Sequence, residues 1–220
     1  CIMLDQLLPK IHKEGYKFIA ISLIASFFLI LFSNFLGIIG IFFSIWIYYF
    51  FRDPDRAIIH DNRYLVSPAS GIITKIVETN GPKELGLQDK KYTRVSIFMN
   101  VFDCHVNRIP TSGTIEEISY VPGKFFNASL DKSSEENERN YLKIKDEKNE
   151  EVIVVQIAGL IARRIVCDLK KAQALKQGER IGMIRFGSRV DLYFNNKKIL
   201  VQEKQNSISG ETLIAVENGK

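Results

Sequence analysis

The sequence predicts a mainly β domain, sandwich- or barrel-like, behind an N-terminal hydrophobic helical anchor. Three observations lead there. Residues 18–51 contain no Lys, Arg, Asp or Glu in 34 positions. From residue 64 onward, short runs rich in Ile, Val, Tyr and Phe alternate with Gly, Pro and Asn, the pattern of strands and turns. The composition, 46% hydrophobic and 25% charged, is that of a packed chain rather than a disordered one.

The apolar run comes first. A single straight helix of that length would be about 51 Å long, more than one bilayer core accommodates. Ser33-Asn34 offers a break, with Gly37 and Gly40 just beyond. Two helices result, and a hairpin or re-entrant anchor over residues 18–51 is expected rather than one straight span. Trp46, Tyr48 and Tyr49 stand at its end, where interfacial aromatics belong. Lys10, Lys13 and Lys17 lie in a basic segment, 1–17, before it, and Arg52, Arg56 and Arg63 follow it. Basic flanks on both sides place both ends in the cytoplasm. The expectation is a cell-membrane protein whose remaining residues, 52–220, form a domain on the cytoplasmic face.

The net charge of +5 and pI near 9.0 invite a test for nucleic acid. There is no zinc knuckle, no basic helix and no stripe of Lys/Arg interleaved with aromatics, so no nucleic-acid partner is expected. Cys1, Cys104 and Cys167 are odd in number and widely spaced, which argues against a disulfide framework and against structural zinc.

Along the β part, LVSP leads into SGIITKIVET, and YTRVSIFMNVFDCHVNRIP is the longest strand-like run. TSGTIEEISYVPG follows, then a polar, turn-rich stretch at 127–140. YLKIKDEKNEEVIVVQIAG reads as a hairpin turning at Asp146 to Glu150. SPASGIITKI and the stretch around QALKQGERIGMI resemble the two halves of a biotinyl- or lipoyl-carrier sandwich. Such carriers present a lysine at a hairpin tip; the corresponding corner here holds Gly187-Ser188 instead.

Histidine is the usual acid/base near neutrality. His12 precedes the anchor, His60 lies in IIHDNRY, and His105 stands in FDCHVNRIP at the end of the long strand-like run. Cys104 beside His105 suggests a thiol–imidazole pair, but neighbours on a strand point to opposite faces. No histidine spacing fits a catalytic metal, and none is expected.

In RFGSRVDLYF, Gly187-Ser188 reads locally as a two-residue hairpin corner. It is not the GxSxG elbow of hydrolases, because Phe186 and Val190 replace the flanking signals. A second chemistry also needs this dipeptide. A serine hydroxyl can attack the carbonyl before it, and glycine at that place lets the backbone bend towards the hydroxyl. Elimination and hydrolysis would then leave a chain ending at Gly187 and a pyruvoyl group where Ser188 stood.

FGSRVDLYF, together with SPASG, FDCHVNRIP, PGKFFNASLDK, NERN and QIAGLIARRIVCDL, resembles the short bacterial form of phosphatidylserine decarboxylase over nearly the whole chain. The resemblance implies a self-cleaving proenzyme, with a β chain of residues 1–187 and an α chain of residues 188–220. It implies a carboxy-lyase that turns phosphatidylserine into phosphatidylethanolamine and CO2 through a Schiff base on a covalent pyruvoyl cofactor made from Ser188. Its partners would be the phospholipid, the membrane and its own two chains as a heterodimer, with a higher homo-oligomer left open. His105 matches the family histidine before the proline and is expected to act as general acid/base. Arg163 and Arg164 lie on a matched stretch, where one of them would face the lipid phosphate.

One position departs from the family. Where relatives read Pro-Ala-Asp-Gly, this chain reads Pro68-Ala69-Ser70-Gly71. The family aspartate orients the histidine, and a serine brings no charge to that task. Either processing is slow, or another carboxylate such as Asp103 or Asp191 substitutes, Asp103 because it shares the face of His105 on a continuous strand. Two alternatives accompany this reading: a decarboxylase of another serine lipid, of the archaetidylserine type, and a non-catalytic membrane-anchored β-sandwich if Ser70 blocks maturation.

Overall fold

The computed structural model describes residues 8–124, 136–159, 164–185 and 187–218. The chain divides into two units, residues 1–55 and 56–220. Unit 1 is built on two apolar helices, α1 (Gly15–Phe32) and α2 (Asn34–Phe50). They part at Ser33, whose backbone is extended (φ −164°, ψ 129°). Small residues let the two helices meet. The Ser26 hydroxyl lies 3.2 Å from that of Ser44, and a Cβ on Gly40 would stand 2.7 Å from Ser26 Oγ. Each serine also hydrogen-bonds a carbonyl in its own preceding turn, Ser22 and Gly40 respectively, so neither hydroxyl is stranded among apolar side chains. By length and composition, α1 can cross a membrane.

Unit 2 is mainly β among the described residues, with a 3-10 turn at Lys83–Leu85. Its strands are β1 (Tyr64–Val66), β2 (Gly71–Asn80), β3 (Lys91–Met99), β4 (Val106–Arg108), β5 (Gly113–Val121), β6 (Arg139–Asp146) and β7 (Glu151–Ala158). Then follow β8 (Ile165–Cys167), β9 (Ala174–Leu175), β10 (Arg180–Ile184), β11 (Ser188–Phe194), β12 (Lys197–Ile199), β13 (Asn206–Ser207) and β14 (Leu213–Glu217). A curled antiparallel sheet runs β13-β2-β3-β11-β7-β6-β5-β9. Two three-stranded sheets, β1-β14-β12 and β4-β10-β8, complete the unit.

The period-2 rule sorts the side chains of β11. Val190, Leu192 and Phe194 enter the main core with Ile97, Leu142 and Val154. Tyr193 points the other way, into a smaller cluster with Tyr92, Tyr141, Val155 and Ile157. The sheet is therefore covered on both faces, which is why β7 reads as the nearly unbroken apolar run VIVVQIA.

Two local expectations are corrected. The run from Tyr92 to Pro110 is not one strand: β3 stops at Met99, a turn occupies 100–105, and β4 begins at Val106 in a different sheet. Nor is Gly187-Ser188 a hairpin corner. β10 pairs with β4 and β8, whereas β11 pairs with β3 and β7. The dipeptide lies where the chain crosses from one sheet to another. The Asp146–Glu150 turn does join a hairpin, β6 to β7.

Candidate active site

Cross-strand register lines up one end of the large sheet. Met99 of β3 and Ala158 of β7 both oppose Ser188, Ile157 opposes Arg139 of β6, and Arg139 opposes Val121 of β5. Ser188 thus starts a strand paired on both sides. Its side chain is buried, and its Oγ finds no hydrogen-bond partner among the described residues. An unsatisfied buried hydroxyl in a native site asks for a chemical explanation. Gly187, immediately before it, has φ +68°, a left-handed conformation that glycine adopts without Cβ strain.

His105 comes to this dipeptide from the turn after β3. Asn100 N–H donates to Asp103 Oδ2 at 2.8 Å, Phe102 N–H to Asn100 Oδ1 at 2.8 Å, and Asp103 N–H to Asn100 O at 3.0 Å. The pinned turn aims the Asp103 carbonyl at His105 Nδ1, 3.0 Å away. A carbonyl only accepts, so Nδ1 carries the proton of this contact. On the other side of the ring, Gly187 N–H donates to His105 Nε2 at 3.3 Å. Nε2 therefore carries the ring's lone pair, which accepts from the residue before Ser188. His105 itself is buried.

Ser70 stands at the position of the family aspartate. It is buried, and its Oγ accepts a hydrogen bond from Ser209 N–H at 3.0 Å. Around it, Ser207 Oγ donates to Ser67 Oγ at 2.6 Å, and Ser209 Oγ to Pro68 O at 3.2 Å. This hydroxyl cluster stitches residues 67–70 to residues 207–209. Gly71 is required beside it, since any Cβ there would run into the Phe98 carbonyl oxygen.

The continuous strand assumed for Asp103 and His105 is interrupted after Met99. Asp103 lies in the turn, where its carboxylate accepts from Asn100 N–H and its backbone carbonyl meets His105 Nδ1. Asp191 forms a buried two-point pair with Arg189, at 2.9 Å and 3.1 Å, on the sheet face opposite the Ser188 side chain. Arg164 is exposed, and its carbonyl accepts from Arg185 N–H at 3.3 Å; Arg163 lies outside the described residues. His60 is exposed near Ser112, Glu147 and Lys176 at the other end of the sheet, and His12 belongs to unit 1.

One feature was not read from sequence. Asn140 Nδ2 donates to Gln156 Oε1 at 3.0 Å, Gln156 Nε2 to Asn107 Oδ1 at 2.9 Å, and Asn107 Nδ2 contacts Met99 Sδ at 3.6 Å. All three amides are buried. The chain ends on the residue that opposes Ser188, on the same face of the sheet. The available signal was Gln156, one polar residue in an otherwise apolar strand.

The family model described as "Phosphatidylserine decarboxylase" matches residues 43–215. The phosphatidylserine decarboxylase proenzyme of Pelagibacter ubique (strain HTCC1062) is 64% identical over 213 residues, covering 97% of this chain and 99% of that protein. That of Rickettsia typhi (strain ATCC VR-144 / Wilmington) is 52% identical over 212 residues, covering 96% and 92%. That of Rickettsia bellii (strain OSU 85-389) is 51% identical over 212 residues, with the same coverage.

Proposed function

The chain belongs to the phosphatidylserine decarboxylase family, and on that premise we propose that it is a proenzyme that cuts itself between Gly187 and Ser188. The mature enzyme decarboxylates phosphatidylserine to phosphatidylethanolamine and CO2. The observation that carries the self-cleavage is His105 Nε2, which accepts from Gly187 N–H at 3.3 Å, the residue before a buried serine hydroxyl with no partner among the described residues.

The steps balance as follows. His105 Nε2 takes the Ser188 Oγ proton as Oγ adds to the Gly187 carbonyl. The Gly187–Ser188 C–N bond breaks and an ester forms, with the proton delivered to the departing nitrogen. Loss of the Ser188 α-proton breaks the Cβ–Oγ bond and releases the Gly187 carboxylate. A proton returns to Cβ, turning the enamine into an imine, and water then replaces the nitrogen of residue 188, which leaves as ammonia.

The residues around Ser188 fit the product. The position is buried, it is held between Met99 and Ala158, and conversion removes the hydroxyl that has no partner there. The pyruvoyl group supplies a ketone that condenses with the substrate amine and accepts the electron pair left when CO2 departs. His105 keeps its task as proton carrier beside that position.

The two chains would be residues 1–187 and 188–220, and they have reason to stay together. β11 pairs with β3 and β7, β13 with β2, and β14 with β1. Unit 1 would anchor the enzyme in the cell membrane, with unit 2 on the cytoplasmic face. The family assignment does not favour either alternative, another serine lipid or a non-catalytic sandwich.

Intact-mass measurement tests the proposal. The expected result is two pieces, the smaller being residues 188–220 with a blocked N-terminus, and a single uncut chain for Ser188→Ala. An uncut wild-type chain in membranes that decarboxylate phosphatidylserine would refute the mechanism.

A further inference from the structure

The large sheet has two chemically different ends. At the far end, the turns 81–90, 146–150 and 195–196 expose no large apolar side chain, and Lys90, Lys91, Lys145, Glu147 and Lys148 stand in solvent there. The end that carries Gly187-Ser188 is the reverse. Phe102 is 70% exposed, Tyr120 56%, Ile208 42% and Ile72 40%. Register places all four at that end: Tyr120 opposes Asn140 beside the Arg139–Val121 pair, Ile72 opposes Phe98 beside Met99, and Ile208 follows Ser207, which opposes Gly71. Single exposed apolar residues need no explanation, but four of the described ones gathered on one end, opposite turns whose exposed side chains are polar or charged, form a polarised surface.

Phe102 is the most exposed of the four and stands at the apex of the turn that delivers His105. The Asn100 and Asp103 hydrogen bonds hold that turn in shape. The ring is thus presented outward by a fixed backbone rather than left there by a loose loop. Exposed Arg164 and half-buried Arg185 lie at the same end, as does Lys124, which pairs with Glu136 at 3.2 Å. Aromatic rings beside cations match the boundary between acyl chains and anionic headgroups.

We propose that this end of the sheet docks on the lipid bilayer, with Phe102 and Tyr120 seated at the headgroup boundary and Arg164 and Arg185 facing anionic headgroups. The proposal rests on the phospholipid substrate of the reading above. Docking there would let the serine headgroup reach residue 188 while its acyl chains stay in the bilayer. The charged far end would then face water.

The test uses the full chain and does not need turnover. Trp46 is the only tryptophan, so Trp46→Phe gives a silent background for Phe102→Trp or Lys148→Trp. The probes are vesicles of phosphatidylcholine and phosphatidylglycerol with bromine on the acyl chains. Tryptophan at 102 is expected to lose about half of its emission, as for a side chain seated about 5–10 Å into the boundary region, and tryptophan at 148 to lose none. Equal quenching at both positions, or none at 102, overturns the proposal. As a second arm, Phe102→Asp should slow turnover of vesicle phosphatidylserine several-fold while sparing a monomeric short-chain analogue. Equal losses on the two substrates also overturn it. Because the fluorescence arm reads no chemistry, its outcome is separable from any failure of the decarboxylase reading.

Discussion

Gly187→Ala isolates the backbone at the cleavage site. A Cβ built at Gly187 meets nothing within 4 Å, so crowding adds no cost. What remains is φ +68°, which costs an L-residue about 1–2 kcal/mol. In a Ser188→Ala background that cannot cleave, this should lower the melting temperature of the β unit by about 2–8 °C. Gly182→Ala provides the contrast, since its Cβ would collide with the Val166 carbonyl oxygen at φ +144°, and it should cost clearly more. In the cleavable chain, the same 1–2 kcal/mol sets the population of the arrangement in which Gly187 N–H faces His105, so self-cleavage should slow about 5- to 30-fold. The assays are thermal unfolding followed by circular dichroism, and the rate of appearance of the 188–220 peptide by mass spectrometry. A Gly187→Ala chain that melts and cuts like wild type would show that the left-handed backbone is not used.

Three further outcomes are expected. Ser70→Asp should speed self-cleavage by restoring a carboxylate to the family position; equal rates on a gel for the two forms would sink the idea. Arg189→Met should cost about 3–5 kcal/mol by leaving the buried Asp191 carboxylate uncompensated, and Arg189→Met with Asp191→Leu should recover most of that loss; thermal unfolding of the two variants separates the cases, and equal losses would contradict it. Burial pushes the Glu151 carboxyl up, but hydrogen bonds from Tyr92, Lys143 and Lys90 outweigh it and hold the group at about 2, below its ordinary 4.5. A depressed carboxylate stabilises the fold above its unfolded value, and that contribution is lost as pH falls through the folded one. Denaturant midpoints should therefore fall between pH 4.5 and 2, and Glu151→Gln should flatten that slope; an unchanged slope would exclude Glu151 as its source.

Several features of this protein were legible because each follows from local pattern. A charge-free run of 34 residues interrupted at Ser33-Asn34 can only become apolar helices with a break. Alternating β-branched runs dictate strands, and a polar pentad between two of them dictates the β6–β7 turn. Gly187-Ser188 and His105 stood out as residue types able to do chemistry, and family resemblance supplied their roles.

What sequence could not reveal was which strand pairs with which. Gly187-Ser188 has the local signature of a hairpin, and only the assignment of β10 and β11 to different sheets makes it a crossover. Asp103 and His105 read as neighbours on one continuous strand, yet they lie in a turn, where the Asp103 carboxylate accepts from Asn100 N–H and its carbonyl meets His105 Nδ1. The Asn140–Gln156–Asn107 chain draws on three strands of two sheets, so no spacing along the sequence announces it. Local chemistry is written in the order of residues. The meeting of Nε2 with Gly187 depends on contacts between residues 82 apart, and such contacts exist only once long-range strand pairing has closed the fold.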